Sequence, residues 1–276
     1  MRDILLIFNK MKDDKKKIQK SNLRFILVLD NLFPRSKRSQ ITPLIIVSIL
    51  IIVLFVVYFN INKNLVENVN PDVSPIYDFV DGCVDELGKD AILDTSNYGG
   101  YFISPELSNG EIAYYLKNGD NLMPSKEKIE SELASYVDNL ITFCVGDFEN
   151  FPDYNIESVE IKTAANIEKE KVIFDVNYSI SIKKGEKSYQ LKNFNAEIPA
   201  RLGIIYDSVG FIMEDQMKDK KSICVTCLHQ ISENYDFYVN AINIGENNVI
   251  YTIKDENVKI NEKPLVFNFV NELEDL

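Results

Sequence analysis

The chain runs to 276 residues, 46 % of them hydrophobic and 26 % charged, with a formal net charge of −12. That apolar content excludes a wholly disordered polymer, and the length suffices for a buried core. The negative balance argues against a nucleic-acid partner, which needs a surface of clustered Lys and Arg.

The charge is unevenly spread. Residues 1–40 hold eleven Lys and Arg against four Asp, a balance of +7. The rest holds 30 − 11 = 19 basic and 42 − 4 = 38 acidic residues, a balance of −19. The first forty residues read as a solvated basic tail, although "NLRFILVLDNLF" also suits a segment lying on the inner leaflet.

From Ser39 to Asn62 no side chain is charged, and between Leu44 and Phe59 only Ser48 and Tyr58 carry a polar group. About 20 helical residues cross a hydrocarbon layer of about 30 Å, so a membrane-spanning helix is expected over 41–62. The run is too long for a signal peptide, and Tyr58 to Ile61 offer no small-residue cleavage site. Lys/Arg-rich flanks stay cytoplasmic. Residues 1–40 are therefore expected inside, with the acidic C-terminal part outside the plasma membrane and the lipid bilayer as a partner through the anchor.

Residues 63–73 are polar and read as a linker. Ser74 and Pro75 suit a helix start, Ser as N-cap and Pro at the first helical position. Ile76, Val80, Cys83, Val84, Leu87 and Ala91 follow at amphipathic spacing. After "NYGG", short strands are expected at Tyr101–Ile103 and Ile112–Leu116. A second helix begins at Ser125, its apolar face holding Ile129, Leu133, Val137, Leu140, Ile141, Cys144 and Phe148. The period then changes to 2. Val172, Phe174, Val176, Tyr178, Ile180 and Ile182 alternate with polar or opposite-face residues, predicting a strand whose hairpin partner runs from Tyr189 to Ile198. Helical spacing returns over 200–234, and strands near 237–244, 249–253 and 265–269 close the chain. Helices and hairpins without regular βαβ alternation predict an α+β fold with antiparallel sheet. It divides into a helix-hairpin-helix module over 74–152 and a β-hairpin/helix/β module over 153–276, burying one core or two small ones that meet near Pro152.

Four cysteines in an extracytoplasmic segment allow three pairings. Cys83 and Cys144 sit on the apolar faces of two helices flanking one unit, which favours joining them and leaves Cys224 with Cys227. Buried free thiols are the alternative. The spacing "CVTC" also suggests a redox pair. However, the segment is not expected in the first turn of a helix after a buried strand. A zinc site lacks further ligands, since His229 lies too close to the pair.

Gln40, Cys83, Gly99, Gly100, Tyr101, Cys144, Ile223, Cys224, Cys227, Leu228, Phe267, Phe269 and Asn271 follow one another in a distinctive order. In this layout the chain resembles a family of uncharacterised single-pass membrane proteins of small-genome archaea. The resemblance covers 37–276 and implies a topology, not an activity. The junction is also similar to the signals of archaeal pilins cut before glutamine. Ser39 stands there in place of glycine and Leu44 in place of glutamate, so a plain anchor is the simpler reading.

One histidine leaves little room for a catalytic triad, and no phosphate loop, dinucleotide fingerprint or zinc-protease motif occurs. Glu127, Glu130, Asp138, Asp147 and Glu149 read as solvated helix faces. The loop Tyr98, Gly99, Gly100, Tyr101 is either a tight turn or a partner-binding surface. The expectation is a membrane-anchored extracytoplasmic binding or scaffold protein without catalytic activity, cofactor or metal, and with a protein or cell-surface partner. The alternatives are a pilin-like subunit and a tethered thiol-disulfide oxidoreductase using Cys224 and Cys227.

Overall fold

A computed structural model describes residues 47–51, 69–245 and 247–274. Residues 47–51 are helical; the remainder of the expected membrane helix over 41–62 lies outside the described residues, as do the basic tail and most of the linker. Among the described residues no helix is long and apolar enough to cross a membrane. Residues from Val69 onward form one compact unit, and the description below concerns it.

Helix α1 spans Ser74–Asn97. Val73, not Ser74, occupies the cap, and no side chain bonds the free amides there. Ser74 is already helical and its hydroxyl donates to Asp78 instead. Ile76, Val80, Val84 and Ala91 are fully buried, as their spacing predicts. Three short strands follow, β1 (Ser108–Asn109), β2 (Ile112–Lys117) and β3 (Asp120–Asn121). The strand expected at Tyr101–Ile103 is absent. Two glycines in left-handed conformation precede it, and the Phe102 amide donates to the Glu132 carboxylate at 2.9 Å instead of to a neighbouring strand.

Helix α2 covers Lys126–Val145, capped by Ser125, whose hydroxyl accepts from the Lys128 amide at 3.2 Å. It ends at Gly146 in left-handed conformation, so Phe148 lies beyond it in a 3-10 turn. Cys144 is exposed, contrary to its expected place on the apolar face.

Strands β4 (Asn155–Ile167), β5 (Lys171–Lys184) and β6 (Lys187–Pro199) form an antiparallel sheet in that order. The alternating residues of β5, from Val172 to Ile182, are all buried. Helix α1 lies close on this sheet at Gly88, where a β-carbon would stand 2.7 Å from Ile198 Cδ1 and 3.1 Å from the Phe174 ring. The Tyr77 and Phe194 rings stack there at 5.1 Å.

Helices α3 (Leu202–Gln216) and α4 (Val225–Tyr235) lead to β7 (Tyr238–Asn243), β8 (Asn248–Ile260) and β9 (Lys263–Glu272). The second sheet runs β1-β2-β9-β8-β7, with β3 also paired to β2. All its pairings are antiparallel except β2 with β9, where Tyr114 faces Val270. Tyr115, Phe269 and Tyr251 stack in sequence at 4.8 and 4.9 Å in the core.

The fold is therefore α+β with mainly antiparallel sheet, as expected. The stretches 74–152 and 153–276 are not separate cores, because β2 of the first lies hydrogen-bonded to β9 of the second. The two-residue strands β1 and β3 pair with β2, which in turn pairs with the longer β9.

Candidate functional site

Among the described residues, three places stand out. The first is the turn after α1. Gly99 and Gly100 have φ of +76° and +82°, a region that disfavours any side chain. Both are buried. A β-carbon on Gly100 would meet Ile129 of α2 at 2.8 Å, and one on Gly99 would meet Ala113 and the Asn268 carbonyl at 3.1 Å. The Gly100 amide donates to the Thr95 carbonyl at 2.7 Å, and the Tyr115 hydroxyl donates to the Gly99 carbonyl at 3.0 Å. The glycines thus serve packing of the turn.

Tyr98 and Tyr101 are half-buried beside them. The charge of Glu111 pushes the Tyr98 phenol up, and burial does the same to Tyr101. The freely exposed apolar groups in this region stand just beyond the expected residues, at Ile103 and Leu107. Ile103 falls in the strand expected at Tyr101–Ile103, and Leu107 in the segment expected between two strands.

The second place is the acidic face of α2. Glu130 accepts from the Ile167 amide at 2.8 Å, and Asp138 accepts from the Thr163 amide at 2.9 Å. Lys126 donates to the Ile167 carbonyl at 2.9 Å. These side chains occupy the open edge of β4, which would otherwise be free to pair with another chain. Glu130 and Asp138 are edge caps, not merely solvated charges, and a strand-edge partner was not visible in the helix pattern.

The third place is "CVTC". Both cysteine pairs are at bonded distance: Cys83–Cys144 with S–S 2.09 Å, and Cys224–Cys227 with S–S 2.02 Å. The second pair forms the first turn of α4, contrary to expectation. Cys224 is the N-cap, and its sulfur accepts from the Cys227 amide at 3.2 Å. Cysteine is not a usual N-cap residue, which hid this start, yet its sulfur fills the acceptor role of a serine or aspartate there. The other half of the expectation holds, since α4 follows α3 and a loop instead of a strand.

That loop is pinned from within. The Gln216 side chain, almost fully buried, donates to the Asp219 carbonyl at 2.8 Å and the Ser222 carbonyl at 3.0 Å. The Ser222 hydroxyl donates to the Asp219 carboxylate, which holds that carboxyl below its ordinary value. Asp215, in the last turn of α3, brings a carboxylate oxygen within 4.8 Å of both sulfurs. With the sulfurs bonded to each other, this trio offers no thiolate pair to a metal. His229 lies along α4 beside Glu233, at 3.3 Å.

A groove of ≈ 350 Å³ between α3 and α4 is lined by Asp207, Ser208, Phe211, Gln230, Asn234 and Tyr235. Comparison with protein-family models, curated proteins and solved structures found no match for this chain.

Proposed function

We propose that the chain is a membrane-anchored extracytoplasmic module that binds a protein or cell-surface partner. The Cys83–Cys144 pair carries the reading. A bonded pair across 61 residues suits an oxidising compartment, and the uncharged run from Ser39 to Asn62 with its basic flank supplies the anchor and the orientation. A binding role needs only a rigid surface, and the buried glycine turn supports one by fixing the loop that carries Tyr98, Tyr101, Ile103 and Leu107.

The test is cross-linking on intact cells with an amine-reactive reagent that does not cross membranes. The expected result is a discrete adduct, lost in an Ile103→Asp, Leu107→Asp double variant that melts at the wild-type temperature. Adducts formed only by a membrane-permeant reagent would place the domain inside and refute the reading. An adduct unchanged in the variant would move the surface away from this loop.

A further inference from the structure

The two disulfides differ in what they do for the fold. Cys83 and Cys144 are 61 residues apart, whereas Cys224 and Cys227 are separated by three. Loop-closure entropy grows with the number of residues enclosed, so the short pair constrains the unfolded chain far less. Its position calls for another explanation.

Three features converge on it. Cys224 is half-buried and reachable, next to Val225, which is 71 % exposed, whereas Cys227 is buried. The Cys227 amide points at the Cys224 sulfur from the first turn of α4, an arrangement that favours a thiolate at Cys224 once the bond opens. The Asp215 carboxylate lies within 4.8 Å of both sulfurs, the one group of the three that is not a cysteine.

We propose that Cys224–Cys227 is a thiol–disulfide exchange site, with Cys224 the attacked sulfur, Asp215 the proton carrier and an exposed dithiol of an extracytoplasmic protein or peptide as substrate. This goes beyond the binding role above and takes up the alternative of a tethered oxidoreductase. A substrate thiolate attacks Cys224 Sγ, forming a mixed disulfide and breaking the Cys224–Cys227 bond, whose electron pair leaves on Cys227. The proton released by that substrate thiol passes through Asp215 to Cys227. The second substrate thiol, as its thiolate, attacks the substrate sulfur of the mixed disulfide. Cys224 leaves as a thiolate and takes up the second proton. Two electrons and two protons have then moved from the substrate, now a disulfide, to the cysteine pair.

The test uses the full chain in detergent micelles and a synthetic peptide bearing two reduced cysteines. Alkylation and mass mapping should show Cys224 and Cys227 becoming free thiols as the peptide gains one disulfide per chain, while Cys83 and Cys144 stay linked. Asp215→Asn should slow this exchange about a hundredfold, in line with the loss of a positioned proton-transfer group, without changing the circular dichroism. Reduced Cys227→Ser, offered the oxidised peptide, should stop as a mixed disulfide at Cys224. The proposal is overturned if Cys224–Cys227 resists the peptide as firmly as Cys83–Cys144 does, or if the adduct forms on the buried cysteine in the Cys224→Ser counterpart at an equal rate. An Asp215→Asn rate equal to wild type removes Asp215 from the mechanism and contradicts that part of it.

Discussion

Replacing Asp255 with alanine should destabilise the protein by about 3–5 kcal/mol, the cost typical of removing one partner from a buried ion pair. Asp255 on β8 is completely buried, and the Arg201 side chain is 16 % exposed. Arg201 donates from Nε to Asp255 Oδ2 at 2.7 Å and from Nη2 to Oδ1 at 2.5 Å. It also donates to the Tyr235 carbonyl at 2.9 Å and stands over the Phe237 ring at 4.4 Å. One guanidinium thus ties the start of α3, the end of α4 and β8 together, and without Asp255 it keeps its charge in a partly dry site. Urea unfolding of the full chain in micelles measures the loss. A change below about 1 kcal/mol, the range of exposed pairs, would show that the site rehydrates freely.

The same pair sets an acid limit. Burial alone would raise the Asp255 pKa, but Arg201 and the amides of Asn257 and Val258 outweigh it and hold the carboxyl below its ordinary value. A depressed folded pKa gives stability that is complete above the unfolded value of about 3.9. That stability is lost as pH falls through the lower folded value. Wild type should therefore lose stability below about pH 4 more steeply than Asp255→Ala.

Converting Cys83 and Cys144 together to alanine should cost about 4 kcal/mol in the chain-entropy model for a loop of this length. The bond links α1 to α2 across a Cα separation of 5.9 Å. Cys83 is buried and Cys144 exposed, so the packing lost is confined to one end. The comparison is urea unfolding of the double variant against wild type under the same oxidising conditions. A loss of similar size on converting Cys224 and Cys227 instead would contradict the contrast between the long and the short loop.

Periodicity made most elements readable in advance. The β5 alternation and the α1 and α2 stripes report burial directly, because one face of each meets the core. Strand β4 escaped because its side chains are mostly exposed; what holds it is hydrogen bonding to β5 on one edge and to Glu130 and Asp138 on the other. Those contacts join residues 25 and 37 positions apart, a range that no local pattern records. The parallel pairing of β2 with β9 was hidden for the same reason. At the second cysteine pair, spacing revealed the motif but not its setting, since an N-cap cysteine and the carboxylate of Asp215 meet only once α3 turns back into α4.

We have proposed a disulfide-stapled domain held outside the membrane. It is tested most directly by blocking free thiols in intact cells, lysing them in denaturant and digesting the protein without reductant. The expected result is a single linked species containing the Cys83 and Cys144 peptides, in essentially every molecule. Recovery of both cysteines as blocked thiols, or of Cys83 joined to Cys224 or Cys227, would contradict it.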